Sequence, residues 1–199
     1  MKKNVVRRLA NVAIFGAIAT ILYVVPFFSF SVPFLPSFLS FHFDELPIFI
    51  AGFAFGPLEA SLIIILKTLI KLPMTHTAYV GELSDLIYSF AFILPASLIY
   101  RHKKTLKTAI IGTAVGFMTQ LVVSTLGNVC FMIDFYINLY GITAADLLAS
   151  LQAINGNIVD LRWSLAIYGI IPFNVLKDLM VIILTFLVYK RISRLIERQ

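Results

Sequence analysis

The stretch LPIFIAGFAFGPLEASLIIIL, from Leu46 to Leu66, is apolar and long enough to read as one helix across a lipid bilayer. Gly56-Pro57 in its middle argues for two helices instead, because proline removes a helix donor and disfavours helical geometry in the residue before it. The choice decides which side every later loop faces. With one helix and a cytoplasmic N-terminus, Arg101-His102-Lys103-Lys104 and Lys107 fall outside, against the tendency of cytoplasmic loops to hold lysine and arginine. With two, Lys2, Lys3, Arg7 and Arg8, the Arg101 to Lys107 cluster, and Lys190, Arg191, Arg194 and Arg198 all share one side. Charge and topology then agree.

Working outward, the split predicts an all-α integral membrane protein. It is a single domain over 1–199, a six-helix transmembrane bundle with both termini cytoplasmic. The helices run over Leu9 to Phe28, about Asp44 to Phe55, Pro57 to about Leu72, and near Tyr79 to Tyr100, Thr108 to Ile133 and Ser164 to Tyr189. The second and third reach only about 18–24 Å at 1.5 Å per residue, short of a bilayer core of about 30 Å, so their ends are expected against neighbouring helices. Three connections face outward, Ser29 to Phe43, Pro73 to Ala78 and Asp134 to Trp163, the first and last being long. The first is too apolar for a solvated linker and is expected to fold over the bundle as a lid, with Pro26, Pro33 and Pro36 among its phenylalanines. In the last, Thr143-Ala-Ala-Asp146 reads as a capping-box-like helix start, and Asn155-Gly156-Asn157 as that helix's end.

Composition supports the membrane reading. With 60% hydrophobic and 13% charged residues, and a mean hydropathy of +0.94, the chain has too little polar surface to cover a soluble globule. The first apolar run imitates a signal peptide, but Val-Pro-Phe-Phe-Ser-Phe follows it rather than a small-residue cleavage site, so it is kept as a helix. The single cysteine, Cys130, excludes an internal disulfide. The formal charge of +6 sits in short clusters beside apolar runs and reads as a topology signal rather than a nucleic-acid footprint.

Polar residues inside the spans are the candidate site, since a charge near a bilayer centre costs roughly 2.5–3.5 kcal/mol on insertion scales and is held toward a cavity or partner. Asn174, Lys177 and Asp178 lie within about 100° on one face of the last helix. Gln120, Ser124 and Asn128 recur every four residues on the helix before it. Either stripe can line a cavity or simply bond between helices. Lys67 and Lys71 approach the same outer end, as do Glu82 and Asp85, where acids also suit a solvated helix start. Ala10, Ala13, Gly16, Ala17 and Thr20 form a small-residue strip on helix 1, suited to close approach of another helix, inside or outside this bundle. His42, His76 and His102 show no metal-ligand spacing, and no HExxH, G-x-S-x-G or P-loop is present.

Three stretches resemble the substrate-binding S components of energy-coupling factor (ECF) vitamin transporters, and among them the riboflavin binders. They are Phe43-Asp44-Glu45-Leu46-Pro47 with Ala51 to Pro57, Ala78-Tyr79-Val80-Gly81-Glu82-Leu83, and Pro172-Phe173-Asn174-Val175-Leu176-Lys177. The resemblance implies a non-enzymatic cell-membrane subunit without cofactor. It would capture riboflavin at the outer face, topple in the membrane, and release it inward with a transmembrane coupling subunit and two cytoplasmic ATPases. It places the flavin on Asn128, Asn174 and Lys177, and docking on Ala13 and Ala17. Asp178 departs from the pattern, which leads one to expect a small residue there.

An isoalloxazine ring needs apolar walls and a few placed donors and acceptors; asparagine offers both, lysine offers donors, and Glu82 or Asn128 suits ribityl hydroxyls. Folate or thiamine would be served by the same residue types. A reading from another class is a small membrane enzyme acting on lipid through Glu82, Asp85 and a histidine.

Overall fold

A computed structural model describes residues 2–31, 40–75, 77–141, 143–152 and 155–196. Helix α1 spans Lys2–Val24, and a short antiparallel ribbon follows, β1 (Phe30–Ser31) paired with β2 (Ser40–Phe41). Then come α2 (Glu45–Ala54), α3 (Pro57–Lys71), α4 (Val80–His102) and α5 (Leu106–Gly127). A π-helical turn at Asn128–Met132 joins α5 to α6 (Ile133–Tyr140) without a break. After α7 (Ala144–Gln152), α8 (Leu161–Leu165) runs through a second π-helical turn, Ala166–Ile170, into α9 (Ile171–Ile196).

The Gly56-Pro57 reading holds. Gly56 has φ +119°, a conformation that L side chains rarely adopt, and Pro57 opens α3 at a position where its missing N–H costs nothing. α2 is buried on nearly every side, including Ile48, Phe49, Ala51 and Phe53, as a helix apolar all round beyond its first residue, Glu45, must be. Around it the core is built by ring contacts, with Phe49 edge-on to Phe92 at 4.6 Å and Phe53 against Tyr100 at 4.7 Å. α4 and α5 pack closely because Gly116 has no side chain; a Cβ there would strike the carbonyl oxygen of Phe92.

Among the described residues, four helices are long and apolar enough to cross a membrane: Val5–Val24, Val80–His102, Leu106–Leu139 and Leu161–Val188. Their outer faces expose Ile14, Ile18, Ile110, Val122, Ile183 and Leu187, which suits lipid contact.

Three expectations change. The fold is not wholly α, because of the β1–β2 ribbon. The fifth predicted helix does not stop at Ile133 but continues to Tyr140, since the π turn absorbs an extra residue instead of ending the helix. The last begins at Leu161, where the Asp160 carboxylate caps the Trp163 N–H at 2.7 Å. The capping box at α7 forms as read: Thr143 Oγ1 donates to Asp146 Oδ2 at 2.6 Å and accepts from the Asp146 N–H at 3.1 Å. The Thr143 hydroxyl and, at 3.0 Å, the Thr143 N–H both donate to the Asp146 carboxylate and hold it below its ordinary range. The lid expectation for 29–43 falls largely on 32–39, outside the described residues, as do His76 and Arg198.

Candidate functional site

Chain connectivity brings together the start of α2, the end of α3, the start of α4, the end of α5 and the start of α9. Polar side chains join these five in a closed circuit. Lys67 on α3 is fully buried, ion-paired to Asp44 at the start of α2 and, at 2.8 Å, to Asp85 on α4; its Nζ also donates to Ser89 Oγ at 3.1 Å. Glu45, one residue along, accepts from Lys177 on α9 at 3.0 Å. Asn174, one turn before Lys177, accepts from Gln120 Nε2 on α5 at 3.0 Å. Two turns further along, where the π turn follows α5, Asn128 Nδ2 donates to Tyr88 OH on α4 at 3.3 Å. Tyr88 lies about one turn beyond Asp85, which closes the circuit.

Both π turns sit beside the site's asparagines. One begins at Asn128, whose Nδ2 also donates to the Ser124 carbonyl at 2.8 Å. The other ends at Ile170, whose carbonyl accepts from Asn174 Nδ2 at 2.9 Å. A π turn widens the helix and re-aims the next side chains, and such turns recur at functional sites. The ribbon closes over the α9 end, with the buried Phe41 ring 4.6 Å from Phe173. The lysine end of α3 meets α1, where Lys67 lies 4.8 Å and Lys71 5.4 Å from the Tyr23 ring centroid.

The circuit leaves acceptors over. Glu45 Oε2, Gln120 Oε1 and both oxygens of Asp178 are buried and have no hydrogen-bond partner among the described residues. Buried acceptors left unpaired cost about 1–3 kcal/mol each, so an arrangement of this kind suits a ligand that brings several donors. Carboxylates also outnumber ammonium groups here: Asp44, Glu45, Asp85 and Asp178 stand against Lys67 and Lys177.

Of the residues singled out in the sequence, Asn174, Lys177, Gln120, Asn128 and Lys67 are brought together, with Ser124 fully buried behind Asn128. Glu82 is buried but turned to the α3–α4 turn, accepting from Thr75 at 2.8 Å and Thr77 at 2.7 Å. Lys177 pairs with Glu45, while Asp178 makes no hydrogen bond to it. Glu45, Asp85 and Tyr88 carry roles the sequence reading did not assign. The signal was present for the first two, as acids beside apolar runs, but acids at helix starts are also favoured by the helix dipole alone. On helix 1, Gly16 packs on Leu66 of α3, whereas Ala10, Ala13 and Ala17 are exposed. No cluster of three or more metal-ligating side chains exists among the described residues.

A buried apolar bundle with four bilayer-length helices and a polar circuit at one end is a polytopic membrane protein. A family model for the substrate-specific component of ECF transporters matches residues 7–189, and the chain belongs to that family. It is 27% identical over 198 residues to the riboflavin transporter RibU of Staphylococcus aureus strain TCH60, covering 100% of this chain and 95% of that one. It is 22% identical over 197 residues to the riboflavin transporter FmnP of Bacillus subtilis strain 168, covering 98% and 96%. The solved structure of the S component of a bacterial ECF transporter superposes with a TM-score of 0.71 at 26% identity, covering 95% of this chain and 96% of the other. The family and these relatives are transport components rather than enzymes.

Proposed function

We propose that this chain is the riboflavin-binding S component of an ECF-type, ATP-driven importer of the cell membrane. It captures the vitamin at the outer face and delivers it inward with a coupling subunit and two cytoplasmic ATPases. The whole of 1–199 acts as one domain, with six membrane helices and both termini in the cytoplasm. The basic clusters support that orientation, because α1 starts, α4 gives way to α5, and α9 ends at the side opposite the polar circuit.

The observation that carries the reading is the convergence of Asn174 and Lys177 with Gln120 and Asn128 beside unpartnered acceptors, in a chain that aligns end to end with riboflavin transporters. A flavin offers what that set lacks. Its pyrimidine-like edge has one N–H donor and carbonyl acceptors, and its ribityl chain has hydroxyl donors. Asn174, Lys177 and Asn128 hold the ring edge, while Gln120, Ser124, Lys67 and Asp178 support them from behind. Glu82 closes the outer rim through Thr75 and Thr77. Phe41 and Phe173 offer the apolar wall that a flat ring requires. Ala10, Ala13 and Ala17, exposed along α1, form the docking strip for the coupling subunit, and Gly16 serves the contact with α3.

Mass spectrometry of the small molecules that copurify with the protein from riboflavin-containing medium tests this. Riboflavin in near one-to-one amount is the expected result; folate, thiamine or no vitamin overturns it.

A further inference from the structure

The end of the bundle opposite the polar circuit holds a cavity of about 510 Å³ at the Gly56-Pro57 junction. Three cations line it, Arg8 from α1, Arg101 from the last turn of α4 and Lys104 from the α4–α5 turn, against one carboxylate, Glu59. Glu59 is buried and taken up by Arg8, whose Nε lies 2.5 Å from Glu59 Oε1. That leaves Arg101 and Lys104 with no carboxylate partner among the described residues.

The cavity is built more specifically than a basic loop. α3 begins on its wall, and since Pro57 has no N–H and the Ala60 N–H is bonded to the Gly56 carbonyl at 3.2 Å, the Leu58 and Glu59 N–H groups are the ones without helical partners. They add the positive end of the α3 dipole to the two free cations. Beside this charged floor the rim is apolar: Phe55 is half-buried and Leu58 is exposed on the flank of the bundle. Positive charge in a crevice between membrane helices, with an apolar flank at the level where those helices end, matches an anionic phospholipid, its phosphate inside and its acyl chain along Leu58.

We propose that this cavity binds the phosphodiester headgroup of an anionic phospholipid of the inner leaflet. Arg101 and Lys104 hold the phosphate, and Glu59 holds Arg8 in place as the third wall. Scattered basic residues would favour anionic lipid only diffusely, whereas a cavity retains one molecule.

The test uses the full chain in mixed micelles with phosphatidylglycerol or phosphatidylcholine, with retained lipid counted by native mass spectrometry. Size-exclusion chromatography reports folding. One phosphatidylglycerol per protein is expected, with at least tenfold preference over phosphatidylcholine. The double variant R101E/K104E should lose that preference at least tenfold, and the milder R101Q/K104Q should lose it in the same direction. K103E/K107E makes the same charge change at the same α4–α5 junction outside the cavity lining, and should keep it. Three results overturn the proposal. Equal loss of lipid in both charge-reversed pairs would mean diffuse surface attraction; displacement of the lipid by glycerol 3-phosphate or inorganic phosphate at equal concentration would mean a free-phosphate site; and retention of lipid by R101E/K104E with failure to join the coupling subunit would mean a protein-docking face. The inner-leaflet placement rests on the proposed orientation, but none of these measurements involves riboflavin, so a failure here and a failure of the vitamin reading are separate results.

Discussion

Lys177 Nζ lies 3.0 Å from Glu45 Oε1, an ion pair that spans 132 residues of sequence and ties the start of α9 to the start of α2. Both groups are largely removed from water, with side-chain exposures of 12% and 1%. Lys177 is therefore placed, not merely present, and its remaining donors are directed by that pairing. The neighbouring Asn174 is held in the same way by Gln120 and the Ile170 carbonyl.

Lys177→Ala and Asn174→Ala are each expected to weaken riboflavin binding at least tenfold while the protein stays monodisperse. Fluorescence titration of each purified variant checks this. Wild-type affinity in both would remove the pair from the site.

Lys67→Met should be a folding defect before it is a binding defect. It strands Asp44 and Asp85 in the interior, and breaking a buried pair from one side costs about 3–5 kcal/mol. A marked fall in thermal midpoint in detergent is expected, partly restored in the Lys67→Met/Asp44→Asn double variant. An unchanged midpoint for the single variant would show that the ion pairs do not hold α2, α3 and α4 together.

Gly56→Ala forces a Cβ into a conformation with φ +119°, at a cost of about 1–3 kcal/mol. Nothing crowds the position beyond Glu59 Oε2 at 3.6 Å, so the loss comes from the backbone and not from packing. A lower thermal midpoint with a normal elution profile is the expected outcome; a midpoint equal to wild type would mean that the junction relaxes.

The strip on α1 separates docking from binding. Ala13→Trp with Ala17→Trp places bulk on the exposed face and none on the face toward α3. Riboflavin affinity should persist while copurification with the coupling subunit is lost. Retained assembly would move the docking surface elsewhere.

Much of this molecule was readable beforehand, for reasons particular to certain residues. Gly56-Pro57 breaks a helix by backbone chemistry alone, so its effect does not depend on the surroundings. Asn174 with Lys177, and Gln120 with Asn128, stand out because polar groups in an apolar helix are costly wherever they lie. Glu45 and Asp85 were harder, since an acid at a helix start is accounted for locally and only tertiary contact reveals its lysine partner. Helical spacing puts Asp178 on the same broad face as Lys177, yet adjacent residues on a helix diverge by about 100°, and Glu45 takes the ammonium. The π turns and the β1–β2 ribbon arise from packing between segments distant in sequence, which a one-dimensional pattern does not carry.

The central claim is that the circuit around Asn174 and Lys177 receives riboflavin. Titrating the purified chain, freed of endogenous ligand, with riboflavin while following flavin fluorescence tests it most directly. Saturable quenching at submicromolar ligand with one-to-one stoichiometry is the predicted result. Absence of quenching at micromolar riboflavin, in protein shown to be folded, would contradict it.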